Sequence, residues 1–412
     1  MWQATVRKRL SRLAGWLVCM VLWAVACGGG SRAALETAGQ ATSAPAVPGP
    51  ALPMVHICAD SRWEIDRPTT DSAIYRCSKE VPASEWQSAV RTTAPTAFSA
   101  DSLGRGLKTL AFVVDDMGGE LRWNDPAPGQ SVKAALLTHS GGGGNTWNDM
   151  LFRPLESDGV RIIGVRWDDG VPASRPRGPL GTQVMSGWVT RKGSAGTSFL
   201  EASRRVAAVM RWVHDNLVPA GAKFGTAGGS GGAIATFAPV FWHGLDDIID
   251  YQFLTGGPVA TFDINAACQG RSPDGVSERD PDNPQPTDKL HYPVNNPAQV
   301  GFILETIDYI FASGNDCQQG RYRQEFDQSS FRFTGGDWWF DHPIDFEIAI
   351  GGGAQDDATL GIVWQVGKIY QQLRSPKKQW LLVTGAPHGG SFGVPDLRPA
   401  MFDRIRQGLG LK

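Results

Sequence analysis

Gly228-Gly229-Ser230-Gly231-Gly232 is the stretch on which the reading of this chain turns. It matches G-x-S-x-G, the pattern of a sharp strand-to-helix turn that lifts a serine hydroxyl clear of the backbone. Small residues on both sides suit such a turn, because a strained backbone leaves no room for neighbouring side chains. In a 412-residue chain with 50 glycines the match alone is weak, and its neighbours decide it. Upstream, Ser198 and Glu201 form a capping-box pattern, and Phe199, Ala202, Val206, Val209, Met210, Val213 and Leu217 follow at helical spacing. Pro219 and Gly221 end that helix. Residues 223–227 read as a short strand leading into the glycines. After Ser230, small residues open a second helix, which continues past Pro239 to His243.

Residues 248–254 read as the next strand and end in TGGP. Residues 344–350 read as another, ending in GGGAQDD, so Asp356 or Asp357 stands just past its end. A helix carrying Ile362, Val366, Ile369 and Leu373 on one face comes next, then an apolar strand over 380–383. TGAPHGGSF puts His388 on the loop after it, and a last helix starts near Pro399.

From Leu107 to the C-terminus the chain resembles the α/β-hydrolases, in particular their secreted serine-esterase branch. The resemblance rests on Ser230, then an acid, then His388, in that chain order. GAQD, ending in Asp356, resembles the family's G-x-x-D, and APHGG resembles its histidine loop. Asp357 stays open as the acid, because one residue of loop register is not legible in sequence. The resemblance implies an α/β fold with a mostly parallel central sheet flanked by helices. Residues 132–138 read as a strand followed by HSGGGG, which resembles the family's H-G-G-G loop with Ser140 in place of the first glycine. It implies an oxyanion hole from the backbone N–H of Gly231 with that of Gly141 or Gly142, and assigns His139 to supporting that loop by hydrogen bonding.

The chemistry follows from the serine hydroxyl, a poor nucleophile at neutral pH. His388 would take its proton and pass it to the leaving group, while Asp356 (or Asp357) would fix the tautomer of the imidazole. Carboxylic esters are the expected substrates, small or polymeric, with no metal or organic cofactor. The same triad serves a peptidase, an amidase or an acyltransferase, and a surface lipoprotein that only binds would keep the fold without the chemistry.

The N-terminus reads as a targeting segment. Arg7, Lys8, Arg9 and Arg12 precede an apolar run over 13–26, too short to span a membrane. AVAC places Cys27 as the lipidation site of a bacterial lipoprotein, with membrane contact through that anchor alone. Ala24 departs from the commoner leucine or valine, so an ordinary signal peptide and secretion, or an uncleaved anchor, remain open. Residues 27–52 read as a flexible Gly/Ala/Pro/Ser tether, 53–106 as an N-terminal segment, and 107–412 as the catalytic domain with an insertion over 259–342. The expected disulfides are Cys58–Cys77 and Cys268–Cys317, each bracketing one loop-rich segment. The insertion is expected to cap the site, with Trp147, Trp167 and Trp338 facing substrate. The formal net charge of −2 argues against nucleic acid as a partner. The sequence has no Walker A loop and no C-x-x-C metal spacing.

Overall fold

A computed structural model describes residues 51–59, 63–66, 74–92, 106–126, 129–142, 144, 147–168, 187–189, 198–259, 261–264, 323–353, 356–357 and 362–412. Residues 1–50 with Cys27, as well as Cys268, Cys317 and most of segment 259–342, lie outside them.

Thirteen strands are described. They are β1 (Val55–Cys58), β2 (Trp63–Asp66), β3 (Ile74–Cys77), β4 (Glu80–Val81), β5 (Arg91–Thr92), β6 (Lys108–Val114) and β7 (Met117–Trp123), then β8 (Ala134–His139), β9 (Val160–Trp167), β10 (Lys223–Gly229), β11 (Tyr251–Thr255), β12 (Ile344–Gly351) and β13 (Lys378–Ala386). The helices are α1 (Phe199–Leu217), α2 (Gly231–His243), α3 (Arg323–Asp327), α4 (Ile362–Gln372), α5 (Gly390–Gly393) and α6 (Arg398–Gly408). The N-cap half of the expected capping box forms: Ser198 Oγ accepts the Glu201 N–H at 3.0 Å, which starts α1 one residue on, while the Glu201 carboxylate accepts from Arg204 at 3.3 Å.

One sheet of eleven strands runs β13-β12-β11-β10-β8-β9-β7-β6-β1-β4, with β5 beside β6. From β9 through β8, β10, β11 and β12 to β13 every pairing is parallel. β7 is antiparallel to both β9 and β6. Counting β6 as the first, the eight strands from β6 to β13 take the order 1-2-4-3-5-6-7-8, with only the second reversed. This is the α/β-hydrolase fold, a mostly parallel sheet between helices. Segment 53–106 joins the same sheet, since β1 pairs antiparallel with β6 and β4 with β1. Cys58 and Cys77 are bonded, with Cα atoms 5.0 Å apart.

Strand periodicity explains why both faces are covered. In β8, Ala135 and Leu137 join the core formed with α1, α2 and α4, while Ala134 and Leu136 join the one formed with α6. In β11, Leu254 faces the first and Phe253 the second. Strands buried on both faces lose polar alternation, which is why they appear in the sequence as short apolar runs. α6 is pinned to the sheet through Asp345. The Arg404 guanidinium grips that carboxylate at 2.8 and 3.0 Å, and the Tyr251 hydroxyl donates to it at 2.8 Å. Burial pushes the Asp345 carboxyl and the Tyr251 phenol upward from their ordinary pKa values, with the Asp345 charge adding to the rise at Tyr251.

Candidate active site

Because the strands are parallel, the C-terminal ends of β8, β10, β11, β12 and β13 meet at one rim. β10 ends at Gly229, and Ser230 turns the chain into α2 with φ 55° and ψ −120°. A left-handed φ at a non-glycine residue costs about 1–3 kcal/mol and persists only where its surroundings enforce it. Here the Ser230 N–H donates to the Thr255 carbonyl at 2.9 Å, tying the turn to the end of β11. The flanking glycines answer a different need. A Cβ on Gly228 would stand 2.2 Å from the Gly232 carbonyl oxygen, and one on Gly232 would stand 2.6 Å from the His139 and Ser140 oxygens. The serine therefore carries the strained dihedral, and the glycines provide the clearance.

The loop after β8 reaches the same place. A Cβ on Gly231 would lie 2.2 Å from Gly142 O and 3.0 Å from Gly142 N, and one on Gly141 would touch Ser230 Cβ at 3.6 Å. Gly142 itself has φ 61°. Gly231 and Gly232 open α2, so their N–H groups have no partner within the helix, and the positive end of its dipole lies at Ser230. His139 is fully buried, and burial pushes its imidazole down to about 3. Neither ring nitrogen has a hydrogen-bond partner among the described residues. The hydrogen-bonding role expected of His139 thus falls to its backbone, whose carbonyl accepts from Asn148 Nδ2 at 3.3 Å.

His388 follows β13, and its Nδ1 lies 2.6 Å from Asp357 Oδ1. The imidazole's partner is Asp357 and not Asp356, and the loop backbone explains the register. Asp357 N–H donates to Ala349 O at 2.9 Å, and Asp357 Oδ2 accepts the Ala349 N–H at 2.6 Å. This double anchor on β12 turns residue 357 toward the histidine, while Asp356 Oδ2 accepts the Gly352 N–H at 3.1 Å. Asp357 is fully buried. A Cβ on Gly256 would stand 2.9 Å from His388 Cε1 and Nδ1 and 3.0 Å from Asp357 Oδ1, so Gly256 backs the pair. His388 Nε2 is buried with no hydrogen-bond partner among the described residues. The loop after it folds back onto the serine turn, where Phe392 would meet a Cβ on Gly229 at 3.0 Å.

Beneath this pair lies a carboxylate that sequence reasoning passed over. Glu347, on β12, is buried and accepts from Thr255 Oγ1 at 2.8 Å, Ser391 N at 2.8 Å and Ser391 Oγ at 2.5 Å. Burial pushes its carboxyl above the usual range, with the nearby Asp357 charge adding to the rise and the three hydrogen bonds opposing it. The available signal was a pair of acids, Asp345 and Glu347, inside the apolar run IDFEIAI, where a buried charge needs partners.

The tryptophans correct an expectation. Trp167 is fully buried, edge-on to Phe112 at 5.3 Å, and would contact a Cβ on Gly144 at 3.0 Å. It backs the loop after β8 and offers no exposed face. Trp338 packs on Phe241 at 4.6 Å near the C-terminal end of α2, roughly 15 Å of helix from Ser230. It stands by the start of β12, at the opposite rim. Trp147 is half-buried, with the Arg122 guanidinium 4.2 Å and that of Arg166 5.3 Å from its ring centre. The large apolar surface of tryptophan drew two of the three into packing.

No protein-family model matches the sequence, and no curated protein matches it significantly. Solved structures similar to it include an esterase of Pyrobaculum calidifontis, at 15% identity over 78% of this chain and 84% of that one, TM-score 0.42. An acetyl xylan esterase from Paenibacillus sp. R4 is 13% identical over 77% and 87%, TM-score 0.47. A monoglyceride lipase from Saccharomyces cerevisiae is 14% identical over 78% and 96%, TM-score 0.43. At these values the likenesses stand beside the strand order and carry nothing about substrate or residue roles.

Proposed function

We propose that the chain is an exported serine hydrolase that cleaves carboxylic esters. One observation carries the reading: an imidazole held by a buried aspartate, its other nitrogen without a partner among the described residues, at the rim where a strained serine turn opens a helix. His388 Nε2 takes the Ser230 proton as Oγ attacks the ester carbonyl, and Asp357 holds Nδ1–H and stabilises the imidazolium. The tetrahedral oxyanion is received by the N–H of Gly231 and of Gly141 or Gly142, each donor worth about 3–4 kcal/mol. His388 then protonates the departing alcohol. Water, activated by the same imidazole, releases the acid from the acyl-serine. The Ser230–His388 hydrogen bond closes in the substrate complex, as catalytic bonds commonly tighten there.

The test is turnover of p-nitrophenyl acetate beside labelling by a fluorophosphonate. Wild type hydrolyses and labels; folded Ser230→Ala does neither, with turnover lower by about 10⁴-fold or more. Turnover retained in that variant overturns the reading. Equal turnover of the matching anilide would move it to an amidase, and ester product trapped by added alcohol would move it to an acyltransferase. Export is supported by the basic and apolar N-terminal segment and by the Cys58–Cys77 bond, which suits an oxidising compartment. Lipidation at Cys27 is read by mass spectrometry of the mature N-terminus, and Cys27→Ser moves the protein out of the detergent phase.

A further inference from the structure

Ser230, Asp357 and His388 arrive at the rim on three separate loops, and a shift of about 1 Å between reacting groups costs as much as a hundredfold in rate. Asp357 is fixed to β12 through Ala349. The other two loops need a tie of their own. Thr255, whose carbonyl holds the Ser230 N–H, ends β11. Ser391 lies in α5, three residues after His388. Between them stands one side chain, Glu347, and each of its oxygens receives a hydroxyl from a different loop.

We propose that Glu347 is a positioning residue that clamps the nucleophile's turn to the histidine loop. The proposal rests on the serine-hydrolase reading above. Three features carry it. The carboxylate spans two loops that have no other side-chain hydrogen bond to one another among the described residues. Among the described residues its partners are two hydroxyls and one backbone N–H, with no cation, so it is not an ion pair that a well-packed apolar group would replace at little cost. The surroundings are built tightly around it: a Cβ on Gly390 would stand 2.4 Å from Glu347 Oε1, and the Gly256 N–H donates to the Glu347 carbonyl at 2.9 Å. Backbone and side chain of one residue thus hold the segments on which Ser230, Asp357 and His388 depend. The hydrogen bonds do this work, so a neutral isostere that keeps the acceptor toward Thr255 and the Ser391 N–H retains most of it.

The experiment compares Glu347→Ala, Glu347→Gln and Ser391→Ala with wild type on p-nitrophenyl acetate. Rates are divided by the concentration of sites titrated to completion with a fluorophosphonate, which removes any misfolded fraction. Glu347→Ala is expected to lose about tenfold to a hundredfold in kcat per site, with KM within about twofold. Glu347→Gln returns kcat to within about threefold of wild type, and Ser391→Ala falls between the two. Unchanged kcat per site in Glu347→Ala overturns the proposal, and so does a glutamine variant no better than alanine. If Glu347→Ala yields no titratable sites, Ser391→Ala decides: unchanged kcat per site there overturns it. An inactive, unlabelled wild type fails the hydrolase reading itself, which separates the two.

Discussion

β12 carries two buried acids two residues apart on one face, and they live by different rules. Asp345, at the inner end, is matched with the Arg404 guanidinium and the Tyr251 hydroxyl, and holds α6 against the sheet. Glu347, at the rim, has only neutral donors, from Thr255 and Ser391. Burial raises the carboxyl pKa of both. The inner acid is compensated by charge and serves cohesion; the outer one is compensated by directed hydrogen bonds and serves alignment. One strand thus divides into a part that answers to stability and a part that answers to turnover.

The sharpest cut through that division is Asp357→Asn, which is expected to lower kcat by about 10⁴-fold through the wrong imidazole tautomer. Asp356→Asn should stay within about tenfold, since its carboxylate serves the Gly352 N–H instead. Comparable losses in the two variants would undo the register drawn here. At the inner end, Asp345→Ala is expected to leave kcat per titrated site unchanged and to remove about 2–3 kcal/mol of stability, because it strands Arg404 and Tyr251. Urea denaturation followed by tryptophan fluorescence measures it, and a loss of turnover would blur the division.

A third contrast is acid against base. His139 is pushed down to about 3 and His243 to about 4, both chiefly by burial. Their folded values lie below the unfolded one, so the unfolded chain binds more protons as pH falls from about 6.5. Their contribution is therefore whole above that pH and is lost progressively as pH falls from there toward the folded values, at about 1 kcal/mol per group between pH 6 and 5. Asp345 and Glu347 act in the opposite sense: their contribution is present below the unfolded carboxyl value and is lost as pH rises through the raised folded one. Replacing His243 with glutamine isolates one side of that opposition: the variant should lose about 1 kcal/mol less than wild type between pH 6 and 5, read from denaturation midpoints at pH 7, 6 and 5. The smallest effect belongs to the exposed Arg211–Asp247 pair, at 2.7 Å, whose removal should cost under about 1 kcal/mol and leave turnover alone.

The sequence was most informative where the physics is local. The Ser198 cap, the helical spacing of α1 and the short strand segments of β8, β10, β12 and β13 depend on near neighbours, and the elements formed within a few residues of their expected bounds. β11 began three residues later than expected because Ile248 closes the short turn over Leu245–Asp247, its N–H donating to the Leu245 carbonyl at 3.1 Å. What the sequence hid is non-local. The choice between Asp356 and Asp357 depends on two hydrogen bonds to Ala349, which no spacing rule encodes. The pairing of β1 with β6 joins residues more than fifty positions apart, and apolar content alone names no partner strand. Glu347 finds Thr255 and Ser391 at separations of 92 and 44 residues. Trp167 and Trp338 look alike in sequence whether they face a cleft or a core.

Ser230 remains the residue least at ease in its own backbone. Glycine at that position would adopt φ 55° without penalty and would raise the melting temperature while silencing the chemistry. A thermostability screen left to itself would therefore converge on an inert protein. Any directed improvement of this chain has to score product formed alongside heat resistance, or it will select away the hydroxyl for which the scaffold is bent.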